Sequence, residues 1–235
     1  VQDLYSRTVL ANIIEAPLTY DFLARPAVFV PNTAEALPEL SADFRTLTLK
    51  IRPGIHFQEH AAFRGKPREL TAHDYVYSYK RFYDPRFKSP SLYLLQNAHI
   101  LGLDDLRKAA MKGGRFDYDR EVEGLRALDR YTLQMRFGEP SPRFYLYLAD
   151  HAFMGAVARE VVESYDEREI MAHPVGTGPF RLADWRRSSR IVLERNPTYR
   201  PDVYRATPGE SDAAWTAVAQ KLKGRQLPMI DRVEV

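Results

Sequence analysis

With 235 residues, the chain is long enough for one large domain or two small ones and can bury a core without covalent staples. It contains no cysteine, which excludes disulfides, thiolate metal sites and a cysteine nucleophile. The net charge of +3 is small for this length and argues against a nucleic-acid binder, and no stretch approaches the roughly 18 consecutive apolar residues of a membrane span. The first ten residues, VQDLYSRTVL, are neither basic nor followed by an apolar run, so they do not read as a signal peptide. The sequence opens on Val1 instead of Met, as a mature or excised segment would.

In chain order, the first clear element is RTLTLKIRPG. Leu47, Leu49 and Ile51 alternate with Thr48 and Lys50, the pattern of a half-buried strand closed by the Pro53-Gly54 turn. The strongest helix follows in ELTAHDYVYSYKRFYDP. Thr71 is placed to cap it, with Asp74 three residues on as a variant of the capping box. Tyr75, Val76, Tyr79, Phe82 and Tyr83 recur at helical spacing, either as a core stripe or as a ligand wall, and Asp84-Pro85 ends the helix. The segment DDLRKAAMKGGRFDYDREVEGL reads as a helix, a loop around Gly113-Gly114 and a short strand. DRYTLQMRFGEPSP alternates Tyr131, Leu133, Met135 and Phe137, a second strand stopped by Gly138 and Pro140. GAVAREVVESYDER is expected to be a second helix.

The stretch HPVGTGPFRLADWRRSSRIVLERNP carries the most distinctive turn chemistry. Gly176 and Gly178 sit between Pro174 and Pro179. A phosphate loop would need a Lys-Ser/Thr pair or a third glycine opening a helix. Here Phe180-Arg181-Leu182 begins what reads as a strand. That leaves a ligand loop or a tight turn in which glycine supplies a positive φ. Five arginines lie at 181, 186, 187, 190 and 195, interleaved with Asp184 and Glu194; this is the pattern of a solvated turn between two strands. SRIVLERNP supplies the next strand, SDAAWTAVAQKLKG a helix capped by Ser211 and stopped by Gly224, and IDRVEV a last strand. No internal repeat is present. Strands and helices without a regular βαβ rhythm predict an α+β or irregular α/β class, with mixed or antiparallel sheets that each keep one wet face.

No constellation of residues argues for an enzyme, a cofactor or a metal. His56 and His60 are four apart but follow a strand and turn, with no helix to align them and no adjacent Glu. His73 falls in the first turn of the Thr71 helix, where a solvent-facing position is expected. There is no Gly-x-Ser-x-Gly elbow. The pairs Asp104-Asp105 and Asp117/Asp119 lie in polar segments, where solvation accounts for them.

Taken in order, these pieces resemble the dipeptide- and oligopeptide-binding class of ABC-importer solute-binding proteins, family 5. The resemblance begins at LANIIEAPLTYD (Leu10 to Asp21), similar to the family's Asn-x-x-Glu-Gly-Leu segment, although Ala16-Pro17 stands where the family usually has Gly. It continues through PNTAEALPELSADFRTLTLKIRPGIHF, ELTAHDYVYSYKRFYDP, KSPSLYLLQNAHILG and VEGLRALDRYTLQMRFGEPSPRF. It ends with Pro-Val-Gly-Thr-Gly-Pro-Phe, Trp185 and IVLERNPTY. Each motif is weak alone; their ordered spacing is specific.

The resemblance implies the first lobe of a two-lobe periplasmic-binding-protein-like fold. Residues 15–158 are then the inserted subdomain, 1–14 and 159–235 part of the lobe's core, and the second lobe lies outside the chain. It implies a glycine loop near the interlobe cleft, between a helix and the next strand. The implied activity is capture of a peptide or other small solute and delivery to an ABC permease by hinge closure, in the periplasm or at a Gram-positive cell surface, with no cofactor and no nucleic acid. Ser91, Tyr93, Thr177 and Gly178 are the candidate ligand contacts. Ser91 stands where the family often has Tyr, which puts peptide specificity in question, and Tyr93 reads equally as a core residue. The resemblance leaves open a sugar oligomer, metal chelate, haem or opine as solute. A ligand-sensing domain of a regulator is a further alternative.

Overall fold

The computed structural model describes residues 3–209 and 214–235. Helix α1 (Leu4–Leu10) leads into two short strands, β1 (Leu18–Tyr20) and β2 (Phe29–Pro31). Next come β3 (Glu39–Leu40), β4 (Thr46–Lys50), α2 (Ala72–Tyr83), α3 (Leu92–Asn97), α4 (Leu103–Met111), β5 (Leu125–Ala127) and β6 (Thr132–Arg136). Short helices α5 (His151–Met154) and α6 (Arg159–Val162) precede the hairpin of β7 (Phe180–Arg186) and β8 (Arg190–Arg195). The remaining elements are β9 (Asp202–Val203), α7 (Thr216–Leu222), β10 (Gln226–Leu227) and β11 (Arg232–Glu234). Every strand pair among the described residues is antiparallel, in the orders β3-β4-β6-β5, β11-β8-β7, β1-β2 and β10-β9. The class is α+β, as the sequence pattern predicts.

The larger core forms where the two alternating strands meet. Leu47 pairs opposite Met135 and Leu49 opposite Leu133, and all four are fully buried. Period-two alternation places them on one face of the sheet. Helix α2 covers that core with Tyr75, Tyr79 and Tyr83, each at 0 % exposure, so the aromatic stripe is core and not a ligand wall. The buried hydroxyls of two of them are satisfied: Tyr79 donates to the Met154 carbonyl at 3.1 Å, and Tyr75 lies 2.5 Å from Thr33 Oγ1.

Helix α2 starts where its cap predicts. Asp74 Oδ2 accepts the Thr71 N–H at 2.7 Å, and Arg68 clamps the same carboxylate through both terminal nitrogens, at 2.6 and 3.1 Å. His73 in the first turn is exposed.

One helix expectation changes. The segment from Gly155 forms only the four-residue α6. Ala158, its N-cap, is extended and has no side-chain oxygen to offer, and the Val157 N–H before it is taken by the Ser78 hydroxyl at 2.9 Å. Beyond α6, Asp166 accepts the amides of Arg168 and Glu169 and starts a separate 3-10 turn, Glu169–Ala172. The expected cap at Ser211 lies outside the described residues; the helix itself is α7.

A second, smaller cluster of Ile13, Phe180 and Leu193 packs under the β11-β8-β7 sheet. The arginine run is spread over this hairpin, and four of its five members are paired with carboxylates while Arg187 lies over the Trp185 ring. Asp184 takes Arg190 at 2.6 Å and Arg186 at 3.3 Å, Glu194 takes Arg181 at 3.5 Å, and Asp231 takes Arg195 at 2.9 Å.

The glycine loop joins this hairpin to the rest of the molecule. Neither Gly176 nor Gly178 has a positive φ, so the tight-turn explanation of the pair is corrected. Both glycines are required by proximity. The loop lies directly on the backbone of residues 12–14, with Gly178 N–H donating to Ile13 O at 2.8 Å and Phe180 N–H to Asn12 O at 3.0 Å. A Cβ on Gly176 would overlap the Ile13 carbonyl oxygen, and one on Gly178 would sit 2.6 Å from Asn12 O.

Two outcomes are expected in urea unfolding followed by circular dichroism. Asp74→Ala strips the Thr71 N–H of its acceptor and leaves Arg68 with only Glu160 and the Glu69 carbonyl, and it lowers stability by roughly 2–4 kcal/mol at unchanged m-value. Gly176→Ala forces two backbones apart and costs about 3 kcal/mol, well beyond the roughly 1 kcal/mol gain of a permissive glycine-to-alanine change.

Candidate functional site

Four segments distant in sequence converge beside the glycine loop. Thr177, 3 % exposed, donates its hydroxyl to Glu15 Oε2 at 2.9 Å. Arg200 grips Glu15 through both terminal nitrogens, at 2.6 and 2.8 Å, across 185 positions of sequence. The guanidinium also donates to Asn32 Oδ1 at 2.7 Å, and Asn32 Nδ2 donates to the Ala16 carbonyl at 3.1 Å. Thr33 Oγ1 reaches the same carbonyl at 3.2 Å and continues the network to Tyr75.

Both members of the ion pair are buried, with side-chain exposures of 8 % for Arg200 and 7 % for Glu15. Two charges taken out of water need good geometry and further hydrogen bonds to persist. Here the pairing is bidentate, and Thr177 and Asn32 supply extra partners. Burial pushes the Arg200 guanidinium down, but its hydrogen bonds to Glu15 and the carboxylate charge outweigh this and hold it above its ordinary value. The other flank of the loop is held by Asn196, 2 % exposed. Its Nδ2 donates to Gly178 O at 2.9 Å, its N–H donates to Pro179 O, and its Oδ1 accepts the Thr198 N–H.

The loop is therefore pre-organised. Gly178 has both backbone groups engaged. Thr177 has its side chain engaged but keeps its own backbone N–H and C=O without protein partners among the described residues. Sequence reasoning placed Thr177 and Gly178 in the loop and missed Glu15, Asn32, Asn196 and Arg200. Glu15 stands inside the LANIIEAPLTYD motif and was a readable signal there. Arg200 had none, because nothing local distinguishes it from the other arginines.

Ser91 and Tyr93 belong to a different place, the start of α3. Ser91 is half-buried and precedes the helix without a side-chain cap bond. Tyr93 is 59 % exposed, which settles that it is a surface residue and not part of the core. No hydrogen bond among the described residues connects this pair to Thr177 and Gly178.

Other features offer less chemistry. His56 Nδ1 lies 3.0 Å from the Gly54 carbonyl, and His60 pairs with Tyr165, so the two histidines do not converge. No group of three or more His, Asp or Glu suited to a metal gathers among the described residues. A groove of about 740 Å³ lies between the C-terminal end of α2, the 115–119 loop and residues 159–170. Its charges are largely spent on each other or on neighbours: Arg159 on Glu163 at 2.7 Å and on Asp119, Arg86 on Asp84 at 2.6 Å. No helix among the described residues is long and apolar enough to cross a membrane.

A family profile described as bacterial extracellular solute-binding proteins, family 5 Middle, matches residues 28–235. The periplasmic oligopeptide-binding protein OppA of Salmonella typhimurium is 32 % identical over 200 residues, covering 85 % of this chain and 33 % of that protein. The chain thus spans about a third of the length of that relative. Among solved structures, Haemophilus influenzae OppA in complex with RPPGFSPFR is similar at 27 % identity and a TM-score of 0.65, over 83 % of this chain and 34 % of that one. The murein tripeptide binding protein MppA of Escherichia coli is similar at 26 % identity and a TM-score of 0.66, over 84 % and 35 %. With the profile matching residues 28–235, most of this chain, and the same architecture in these structures, the chain belongs to the bacterial extracellular solute-binding proteins of family 5.

Proposed function

We propose that this chain forms one wall of a cleft that captures a peptide, and that the opposite wall is a second lobe supplied by sequence outside these 235 residues. Residues 15–158 act as the inserted subdomain of the first lobe, and residues 1–14 and 159–235 as part of its core. Two separate buried clusters support a division of this kind: the larger runs from Leu18 through Ala158 and on to Val161 and Val175, and the smaller joins Ile13 to Phe180 and Leu193 beneath the β11-β8-β7 sheet. Closure of the two lobes about a hinge traps the solute, because ligand binds the closed arrangement better and shifts the population toward it. The loaded protein then delivers its solute to an ABC import permease, in the periplasm or tethered at the outer face of a Gram-positive cell. No bond is broken in this cycle.

The observation that carries the peptide reading is the unpartnered main chain of the glycine loop, where the N–H and C=O of Val175 and Thr177 and the N–H of Gly176 have no protein partner among the described residues. An extended peptide supplies complementary N–H and C=O groups, as a strand added to an edge does. In this reading Thr177 contacts ligand through its backbone. Gly178 provides the close fit that keeps the loop in place. Tyr93, exposed and aromatic, offers a side-chain contact, and Ser91 beside it a small polar one. Water-filled pockets accommodate varied side chains, since bridging waters cost little. The names of the relatives, oligopeptide-binding and murein tripeptide binding, point to the same solute class.

Calorimetric titration tests this. The full-length protein is expected to bind members of a mixed pool of short peptides, while the 235-residue chain alone binds them weakly or not at all. Submicromolar binding by the isolated chain would contradict the two-wall arrangement. Absence of peptide binding by the full-length protein would turn the reading to another small solute. In the full-length protein, Tyr93→Ala is expected to weaken peptide binding about tenfold with an unchanged thermal midpoint, and unaltered affinity would remove Tyr93 from the site.

A further inference from the structure

Two histidines and a tyrosine meet where the glycine loop begins. Tyr165 lies flat on His173, with ring centroids 4.2 Å apart and planes 7° from parallel. The hydroxyl of the same tyrosine is 2.9 Å from Nε2 of His60. His60 Nδ1 accepts the N–H of Ala62 at 3.2 Å and so caps the short 3-10 turn Ala61–Phe63. A backbone N–H can only donate. Nδ1 is therefore bare, and the single proton of the neutral ring sits on Nε2, from which it donates to Tyr165.

A second proton has only Nδ1 to occupy, and there it displaces the Ala62 N–H. The surrounding charges do not compensate. Glu160 on α6, which packs against this turn, is engaged by Arg68 Nε at 2.8 Å. Glu163 is engaged by Arg159 at 2.7 Å, and Asp166 accepts two backbone amides. On the ring's own segment Glu59, Arg64 and Lys66 are exposed to solvent, as are Glu167, Arg168 and Glu169 beyond Tyr165. The remaining titratable neighbour is His173, whose charge opposes a second positive charge. Burial first, and His173 second, hold His60 below the ordinary imidazole pKa.

The same segment grips the glycine loop directly. The Gln58 N–H donates to Gly176 O at 2.9 Å, and its Nε2 reaches the Pro174 carbonyl at 3.4 Å. Residues 173, 174 and 176 are thus fastened from one side by Gln58, His60 and Tyr165, while Ile13 and Glu15 hold the loop from the other. We infer that His60, Tyr165 and His173 form a protonation-sensitive latch: it fastens the glycine loop to the Phe57–Phe63 segment when His60 is neutral and releases it when His60 takes a second proton. The latch concerns the loop itself and stands whether or not the peptide reading does.

The direction of the effect follows from linkage. The closed loop holds the neutral imidazole, so its stability is complete above the ordinary histidine pKa. It is lost as pH falls from there to the depressed value of the closed state. Between those limits the open fraction rises about tenfold per pH unit.

Hydrogen exchange on the full-length protein, corrected for intrinsic rates, reads this opening. Protection of the bonded His173 and Gly178 amides is expected to fall by up to about tenfold per unit below about pH 6.5, while β4 and β6 keep theirs. His60→Asn retains an oxygen that can cap Ala62 but cannot titrate, and its loop protection is expected to be flat with pH. An equal pH dependence in His60→Asn, or constant wild-type protection between about pH 8 and about pH 5, overturns the latch. A nuclear magnetic resonance titration of the wild-type His60 ring needs no variant: a midpoint below about 6.5 is expected, and one at or above it overturns the inference.

Discussion

The close passage of the glycine loop over residues 12–15 is the constraint on which the rest of the site depends. Two backbones approach so closely that no side chain fits at Gly176 or Gly178. The contact is closed by hydrogen bonds from Gly178 and Phe180 to Ile13 and Asn12. It is then locked by the buried Glu15–Arg200 pair, which takes in Thr177 and Asn32 as well. This arrangement draws the start of the chain, the β1–β2 hairpin, the glycine loop and the stretch after β8 into one rigid corner. Rigidity there matters physically. A wall that is already ordered loses little conformational entropy when a ligand arrives, so more of the contact energy appears as affinity.

In the proposed function the corner serves as a binding surface. Its charged groups are paired with each other, and the polarity left over is the main chain of Val175, Gly176 and Thr177 together with Arg200 Nε. Backbone groups recognise backbone groups with little regard for side chains, which suits a solute class that varies in sequence. The larger core contributes stiffness behind this wall. Thr33 joins the network to Tyr75, and Tyr75 belongs to the buried stripe of α2, so the corner is anchored in the most densely packed part of the molecule.

Different parts of this arrangement were legible to different degrees. Strands β4 and β6 and helix α2 could be read because their signals are local. Alternation at Leu47 and Leu49, and at Leu133 and Met135, fixes which faces are buried, and Thr71 with Asp74 marks a helix start by side-chain chemistry alone. The helix after Gly155 is shorter than its pattern suggests because the Ser78 hydroxyl, far away in sequence, takes the Val157 N–H just before it. The glycine pair was recognised as special but for the wrong reason. Positive φ is the commoner demand for glycine, and the actual demand, an approaching backbone from residues 12–14, has no local signature.

The sequence by itself determined the class of the fold, its principal strands and helices, its compensated arginine hairpin and, through the order of its motifs, its family. These rest on periodicity, capping and spacing, all of which act over a few residues or are carried in linear order. Only the tertiary structure decided which residues make the corner: that Glu15 meets Arg200, that Asn196 holds Gly178, that Tyr93 is on the surface, and that His60 meets Tyr165 and His173. Long-range electrostatic and hydrogen-bond partners are selected by how the packed elements are placed in space, and a charged or polar residue carries no mark of its distant partner in the chain.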